Sequence, residues 1–218
     1  MEKARTFIIG DIHGCLDMLK RLMDKIDWRP EKDMLIFLGD YIDRGPNSKG
    51  VVDYILELRG SSSHAECLMG NHEAMFLDYL SDRETGLFLV NGGGQTILSY
   101  QKEMPEGQSF FLPPDHIAFF NSLKPFIELE NYYVVHAGLR PGLEIDKQSV
   151  EDMIWIRGAF IDSDFPFKKR VIFGHTPFPE PVVMDNKIGL DTGAVYGNKL
   201  TCLELPEMRF HFVKASGS

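Results

Sequence analysis

The sequence predicts an α/β fold of two β-sheets packed together and flanked by helices, with a small helical cap inserted. Three observations carry this. Short β-rich runs alternate with helix-period segments through the first half, which implies β-α-β units and a largely parallel sheet. The pattern then changes after Val182 to short strands joined by tight turns, which reads as hairpins forming a second, antiparallel sheet on the first. Between about residues 82 and 125, NGGGQ, MPEGQ and FLPPD break the pattern into turns around two helical candidates, the expected cap.

In chain order, TFIIG (6–10), MLIFL (34–38) and AECLM (65–69) are short apolar runs of the kind buried strands present, and YYVVH (132–136) and RVIFG (170–174) repeat the pattern. LDMLKRLMDKI and SKGVVDYILEL, between the first three, carry apolar residues at helical spacing. QTILSYQKE and DHIAFFNSL are the helical candidates of the cap; Phe110, Phe111, Phe119 and Phe120 read as its packing rather than as a substrate wall. The closing hairpins come from VVMDNKIGLD and KLTCLELPEMRFHFV.

With 218 residues, 44% of them hydrophobic, the chain can bury one substantial core, so residues 1–213 are expected to form a single domain. The last residues, KASGS (214–218), read as a disordered tail. No apolar run approaches about 18 residues, so no membrane span is expected. The start MEKARTFIIGD lacks a signal-peptide pattern. Cys15, Cys67 and Cys202 form neither a disulfide framework nor a CxxC motif, which suits a reducing compartment. A cytoplasmic monomer is the expectation. The net charge of −9 argues against general nucleic-acid binding, so an anionic substrate needs a local positive site.

Each strand-like run ends in a turn bearing a side chain that can ligate a metal. Asp11 and His13 follow FIIG, Asp40 follows IFLG, Asn71 and His72 follow LMG, His136 ends YYVVH, and His175 follows VIFG. Ligands gather beyond the carboxyl ends of strands in such sheets, so these corners point to one pocket. A single Gly-Asp after a strand is ordinarily a turn or helix cap; GDIHG, GDYIDRG, GNHE, HAG and GHTP together in one chain are not explained that way. The mixed nitrogen and oxygen set suits manganese, iron or zinc rather than calcium, and without a thiolate it does not suit structural zinc.

Through these motifs, with NGGG, WIR and DTGAVYG, almost the whole chain resembles the calcineurin-like metallophosphoesterases, and within them the bacterial and phage phosphoprotein phosphatases. The resemblance implies a four-layer α/β/β/α sandwich of two mixed β-sheets flanked by helices. It implies a serine/threonine protein phosphatase, with tyrosine as a further target, that uses water activated between two divalent ions, manganese before iron or zinc. Asp11, His13 and Asp40 would hold one ion and Asp40, Asn71, His136 and His175 the other. Arg44 and Arg157 would grip the phosphoryl oxygens, His72 would protonate the leaving group and Asp43 would orient it. The substrate would be a phosphorylated protein or a small phosphoester. Met69 stands where eukaryotic members carry arginine before GNHE, which favours the compact bacterial type.

The rival within the superfamily is a symmetrical diadenosine tetraphosphatase, which shares the metal motifs. Those enzymes resemble Val-Ala-Arg-Gly where this chain has the Asp43 segment, so Asp43 and GNHE favour the phosphatase. A catalytically dead binding module would be expected to lack a ligand or His72, and this chain lacks none. His64, His116, His211 and Cys15 are expected to be structural.

Overall fold

The computed structural model describes residues 4–105 and 110–215. The chain opens with β1 (Thr6–Ile9), α1 (Leu16–Lys25), β2 (Met34–Phe37), α2 (Ser48–Ser61), β3 (Ala65–Cys67) and α3 (Asn71–Leu80). The insertion follows as α4 (Gly86–Phe88), a kinked segment at Leu89–Gly93 that breaks at Gly92 (φ 100°), α5 (Gly94–Gln101) and α6 (Pro114–Asn121). Then come β4 (Phe126–Glu128), β5 (Tyr132–Val135), α7 (Val150–Trp155), α8 (Gly158–Ile161), β6 (Arg170–Phe173), β7 (Val182–Val183), β8 (Lys187–Gly189), β9 (Lys199–Leu205) and β10 (Arg209–Lys214).

These strands build two mixed sheets of five, ordered β10-β9-β1-β2-β3 and β4-β5-β6-β8-β7. The period-2 alternation of strand side chains sorts the core into three clusters. Ile8, Ile36, Val134, Ile172 and Ile188 meet between the sheets. Their neighbours Phe7, Ile9, Leu35 and Phe37 face the other way, onto α1 and α2. Tyr133, Val135, Val171 and Phe173 do the same on the outer face of the second sheet, against Met153, Ile154 and Phe160 of α7 and α8. Four layers result because every strand at the centre is apolar on both faces.

Two expectations are corrected. The segment after Val182 does not form a separate antiparallel sheet: β7 and β8 join the second sheet, whose centre is parallel, while β9 and β10 pair antiparallel along β1 in the first. The chain is also ordered past the expected start of the tail, since Lys214 belongs to β10 and the Ala215 N–H donates to Asn198 O at 2.9 Å. Residues 216–218 of that tail, and 106–109 of the MPEGQ turn, lie outside the described residues.

Both helical candidates of the insertion form, as α5 and α6. Phe88, Tyr100, Phe119 and Phe120 are buried in the same cluster as β1 and β2, whereas Phe111 is exposed. His116 bridges Tyr100 and Asp53, and His211 pairs with Glu204. Among the described residues no helix is long and apolar enough to cross a membrane.

Candidate active site

The strand ends of both sheets converge. Asp11 lies beyond β1, Asp40 beyond β2, Asn71 at the start of α3, His136 directly after β5 and His175 beyond β6. All of them, with His13 and His72, are buried. Among the described residues seven non-glycine ones have φ in the left-handed region, and five are His13, Asp40, Asp43, Arg44 and His175. Such conformations cost about 1–3 kcal/mol each and collect where side chains must be aimed. The turns are also tight: a Cβ on Gly174 would collide with Asp11 Oδ1, and one on Gly70 with Asp40 Oδ1.

His13, Asp40 and His72 bring one ligand atom each within 4.8 Å of one another, and Asp40, His136 and His175 do likewise, with Asp40 shared. The histidine tautomers follow from their partners. His13 Nδ1 is 2.8 Å from Ile42 O and His136 Nδ1 2.9 Å from Leu38 O; a carbonyl only accepts, so each Nδ1 donates and each Nε2 carries the ring's lone pair. Those Nε2 atoms each lie 3.4 Å from an oxygen of Asp40. Asn71 Oδ1 is 3.1 Å from His136 Nε2 and 2.9 Å from His175 Nδ1. Burial, against the pull of Asp40, lowers His13 to about 3; burial and neighbouring His136 lower His175 to about 3, and burial lowers His136 as well. Neutral imidazole is the form that coordinates metal.

The carboxylates divide: against burial, the neighbouring imidazoles, His136 foremost, hold Asp40 below its ordinary range, while Asp11 and Asp191 go the other way. Burial, with Asp191 and Asp40 close by, pushes Asp11 well above its ordinary range, and burial pushes Asp191 up to about 6. Asp11 Oδ2 accepts the His175 N–H at 2.9 Å, while Asp11 Oδ1, His72 Nε2 and His175 Nε2 are buried without partners. Unsatisfied atoms of this kind are costly, and cations satisfy them. Three imidazoles, two carboxylates and an amide, with no thiolate, fit borderline divalent ions.

Beside this cluster His72 Nδ1 lies 2.6 Å from Asp43 Oδ2, and the His72 ring meets that of His13 edge-on at 4.6 Å. Burial pushes Asp43 up, and its bonds to His72 and Thr96 pull it back. Arg44 reaches inward, its Nη1 2.7 Å from His13 Nε2, and its guanidinium lies 5.8 Å from the Tyr196 ring centre. Arg157 is exposed, and its charge weighs against protonation of both His136 and His175. The fold therefore brings Asp11, His13, Asp40, Asp43, Arg44, Asn71, His72, His136 and His175 together.

Sequence reasoning missed some neighbours. Glu73 accepts the backbone N–H groups of Asp40, Tyr41 and Gly70 at 2.8, 2.8 and 3.1 Å, tying two of the corners to one buried carboxylate. Its signal was the last letter of GNHE, at the third position of a helix, where glutamate caps. Asp191 accepts the Gly193 N–H at 2.9 Å; it was visible only as part of DTGAVYG. Cys15 is half-buried and pushed up to about 11 by that burial, which suits a packed thiol and not a reactive thiolate.

A pocket that gathers neutral imidazoles, crowded carboxylates and guanidinium groups suits metal-assisted hydrolysis of an anionic ester. Comparison with known proteins agrees: the calcineurin-like phosphoesterase family model matches residues 4–205, and the chain belongs to that family. It is an enzyme class that hydrolyses phosphoesters with divalent metals. The chain is 28% identical over 201 residues to serine/threonine-protein phosphatase 1 of Salmonella typhimurium, spanning 90% of this chain and 89% of that one. It is 27% identical over 235 residues to an asymmetrical bis(5'-nucleosyl)-tetraphosphatase of Bacillus thuringiensis, spanning 96% and 94%. A solved structure of a candidate diadenosine tetraphosphatase superposes with a TM-score of 0.77 at 24% identity, covering 99% of this chain and 96% of that one, which supports the fold.

Proposed function

We propose that this phosphoester hydrolase is a protein phosphatase acting on phosphoserine and phosphothreonine, with phosphotyrosine as a further substrate. The observation that carries this reading is the buried 2.6 Å pair of His72 Nδ1 and Asp43 Oδ2, with His72 Nε2 unpartnered. A serine or threonine alkoxide is a poor leaving group and needs a proton as it departs; an imidazole fixed at one nitrogen and free at the other supplies it. Asp43 keeps the ring turned so that Nε2 faces the reacting centre. Arg44 and Arg157 bind the phosphoryl oxygens, the planar guanidinium matching two oxygens at once. Asp11, His13 and Asp40 would hold one divalent ion and Asp40, Asn71, His136 and His175 the second, manganese suiting the set best. When bound, such ions supply positive charge against the phosphoryl oxygens and acidify water.

A second reading, hydrolysis of a dinucleoside tetraphosphate, draws on the near end-to-end similarity to the asymmetrical tetraphosphatase. That enzyme is of another kind than the symmetrical tetraphosphatases, which Asp43 and GNHE disfavour. Here the leaving group is itself a phosphate and has less need of an acid. The test is a parallel assay of the manganese-loaded protein on a phosphoserine peptide, a phosphotyrosine peptide and diadenosine tetraphosphate. Preference for the phosphoserine peptide is expected; a strong preference for the dinucleotide reverses the assignment.

Two further outcomes are expected. Chelation should abolish activity, with manganese restoring it better than magnesium or calcium; full turnover in chelator after dialysis overturns the metal reading. Arg44→Ala should keep both ions yet lose on the order of 100-fold in turnover and bind inorganic phosphate less tightly, with Arg157→Ala a milder version. Unchanged phosphate inhibition in both variants removes these arginines from the site.

A further inference from the structure

The insertion reaches into the catalytic pair. Thr96, on α5 and 53 positions from Asp43, is fully buried, as are Asp43 and Ser48. Its hydroxyl donates to Asp43 Oδ1 at 2.6 Å and accepts the Asp43 N–H at 2.9 Å. Ser48 Oγ accepts the same N–H at 3.1 Å and lies 3.0 Å from Thr96 Oγ1. Asp43 is thus held at three points: its N–H by two hydroxyls, Oδ1 by Thr96 and Oδ2 by His72. The terminal torsion of an aspartate is broad, so a carboxylate bonded through one oxygen alone would swing and carry the imidazole with it. Asp43 also sits at φ 71°, a conformation that must be over-determined by its surroundings to persist.

We infer that Thr96 is a positioning residue for the Asp43–His72 pair: its hydroxyl clamps Asp43 so that His72 Nε2 stays aimed at the departing oxygen. The inference rests on the leaving-group role proposed for His72. It gives the insertion a part in the chemistry besides any part in substrate choice. A second contact points the same way, because Gly92 O accepts the Arg44 N–H at 3.2 Å and a Cβ at Gly92 would come within 2.8 Å of Arg44 Cγ. The insertion therefore backs both the phosphate-facing arginine and the acid.

The test is Thr96→Val, which removes the hydroxyl at nearly constant volume, beside Thr96→Ser, which keeps it. Thr96→Ala is made in parallel, so that the answer does not depend on whether valine is tolerated. With a phosphoserine peptide, Thr96→Val and Thr96→Ala should lose about 10- to 100-fold in kcat with little change in KM, the scale of an angstrom's misplacement. The loss on p-nitrophenyl phosphate should be several-fold smaller, metal content and phosphate inhibition should hold, and Thr96→Ser should recover most of the rate. In an Asp43→Asn background, Thr96→Val should add little, because it acts through Asp43. Equal losses on both substrates, failure of serine to rescue, or full additivity with Asp43→Asn each overturn the inference. His72→Asn is the reference: if it separates the two substrates and the Thr96 variants do not, the positioning role alone falls. If it does not separate them, the leaving-group reading falls and takes this inference with it.

Discussion

Asp40→Asn is expected to empty both metal positions at once and to cost more than about 100-fold in turnover, since loss of a mere hydrogen-bond partner of a metal ligand costs about 10- to 100-fold. The reason is its shared place: Asp40 is the one residue common to the two groups of ligand atoms, and His13 Nε2 and His136 Nε2 each face one of its oxygens at 3.4 Å. Asparagine is the informative replacement. It keeps an oxygen to accept the His72 N–H, which Asp40 Oδ1 does at 3.1 Å, and it tolerates the φ of 52° at this position. The fold should therefore survive, as circular dichroism would check. His13→Asn and His175→Asn, at φ 47° and 64°, are equally tolerable to the backbone but should each weaken mainly one ion. Metal counted per chain by mass spectrometry decides the matter, and an Asp40→Asn protein that still holds two ions removes the shared-ligand assignment.

That site was legible because its residues occupy the ends of apolar strands, and strand and turn are local signals. Gly10, Gly39, Gly70 and Gly174 mark where each run stops, and the next polar side chain is the one that enters the pocket. What the sequence hid is non-local. β9 reads as a hairpin strand of a second sheet, yet it pairs with β1, and its polar residues are internally satisfied: Thr201 with Thr192, and Glu204 with Arg5 and His211. Partner choice of this kind depends on which sheet edge is free, and no window of sequence carries that. Asn71 and His72 read as a turn but open a helix, because the signal is a glutamate whose carboxylate folds back onto Gly70. In the sequence Thr96 is one position in a helical candidate; only the packing of α5 on α2 brings it to Asp43.

His72→Asn should cost about 100- to 10,000-fold with a phosphoserine peptide, the usual worth of general acid assistance, and much less with p-nitrophenyl phosphate. The two esters share the attacked phosphorus and its oxygens and differ in what leaves: an alkoxide that needs a proton, or a nitrophenolate that departs without one. A residue acting on the leaving oxygen must therefore discriminate between them, and one acting on phosphate binding must not. Asp43→Asn should show the same selectivity in milder form, since it removes the charge 2.6 Å from His72 Nδ1 and loosens the ring's orientation without removing the imidazole. Metal content has to be read alongside, because His72 stands within 4.8 Å of ligand atoms of His13 and Asp40. If the variant loses an ion, the nitrogen with no partner in the pocket is a ligand and not an acid. If both ions stay and the two substrates slow by the same factor, His72 acts on something common to both esters, and the case for a protein phosphatase loses the observation that carries it.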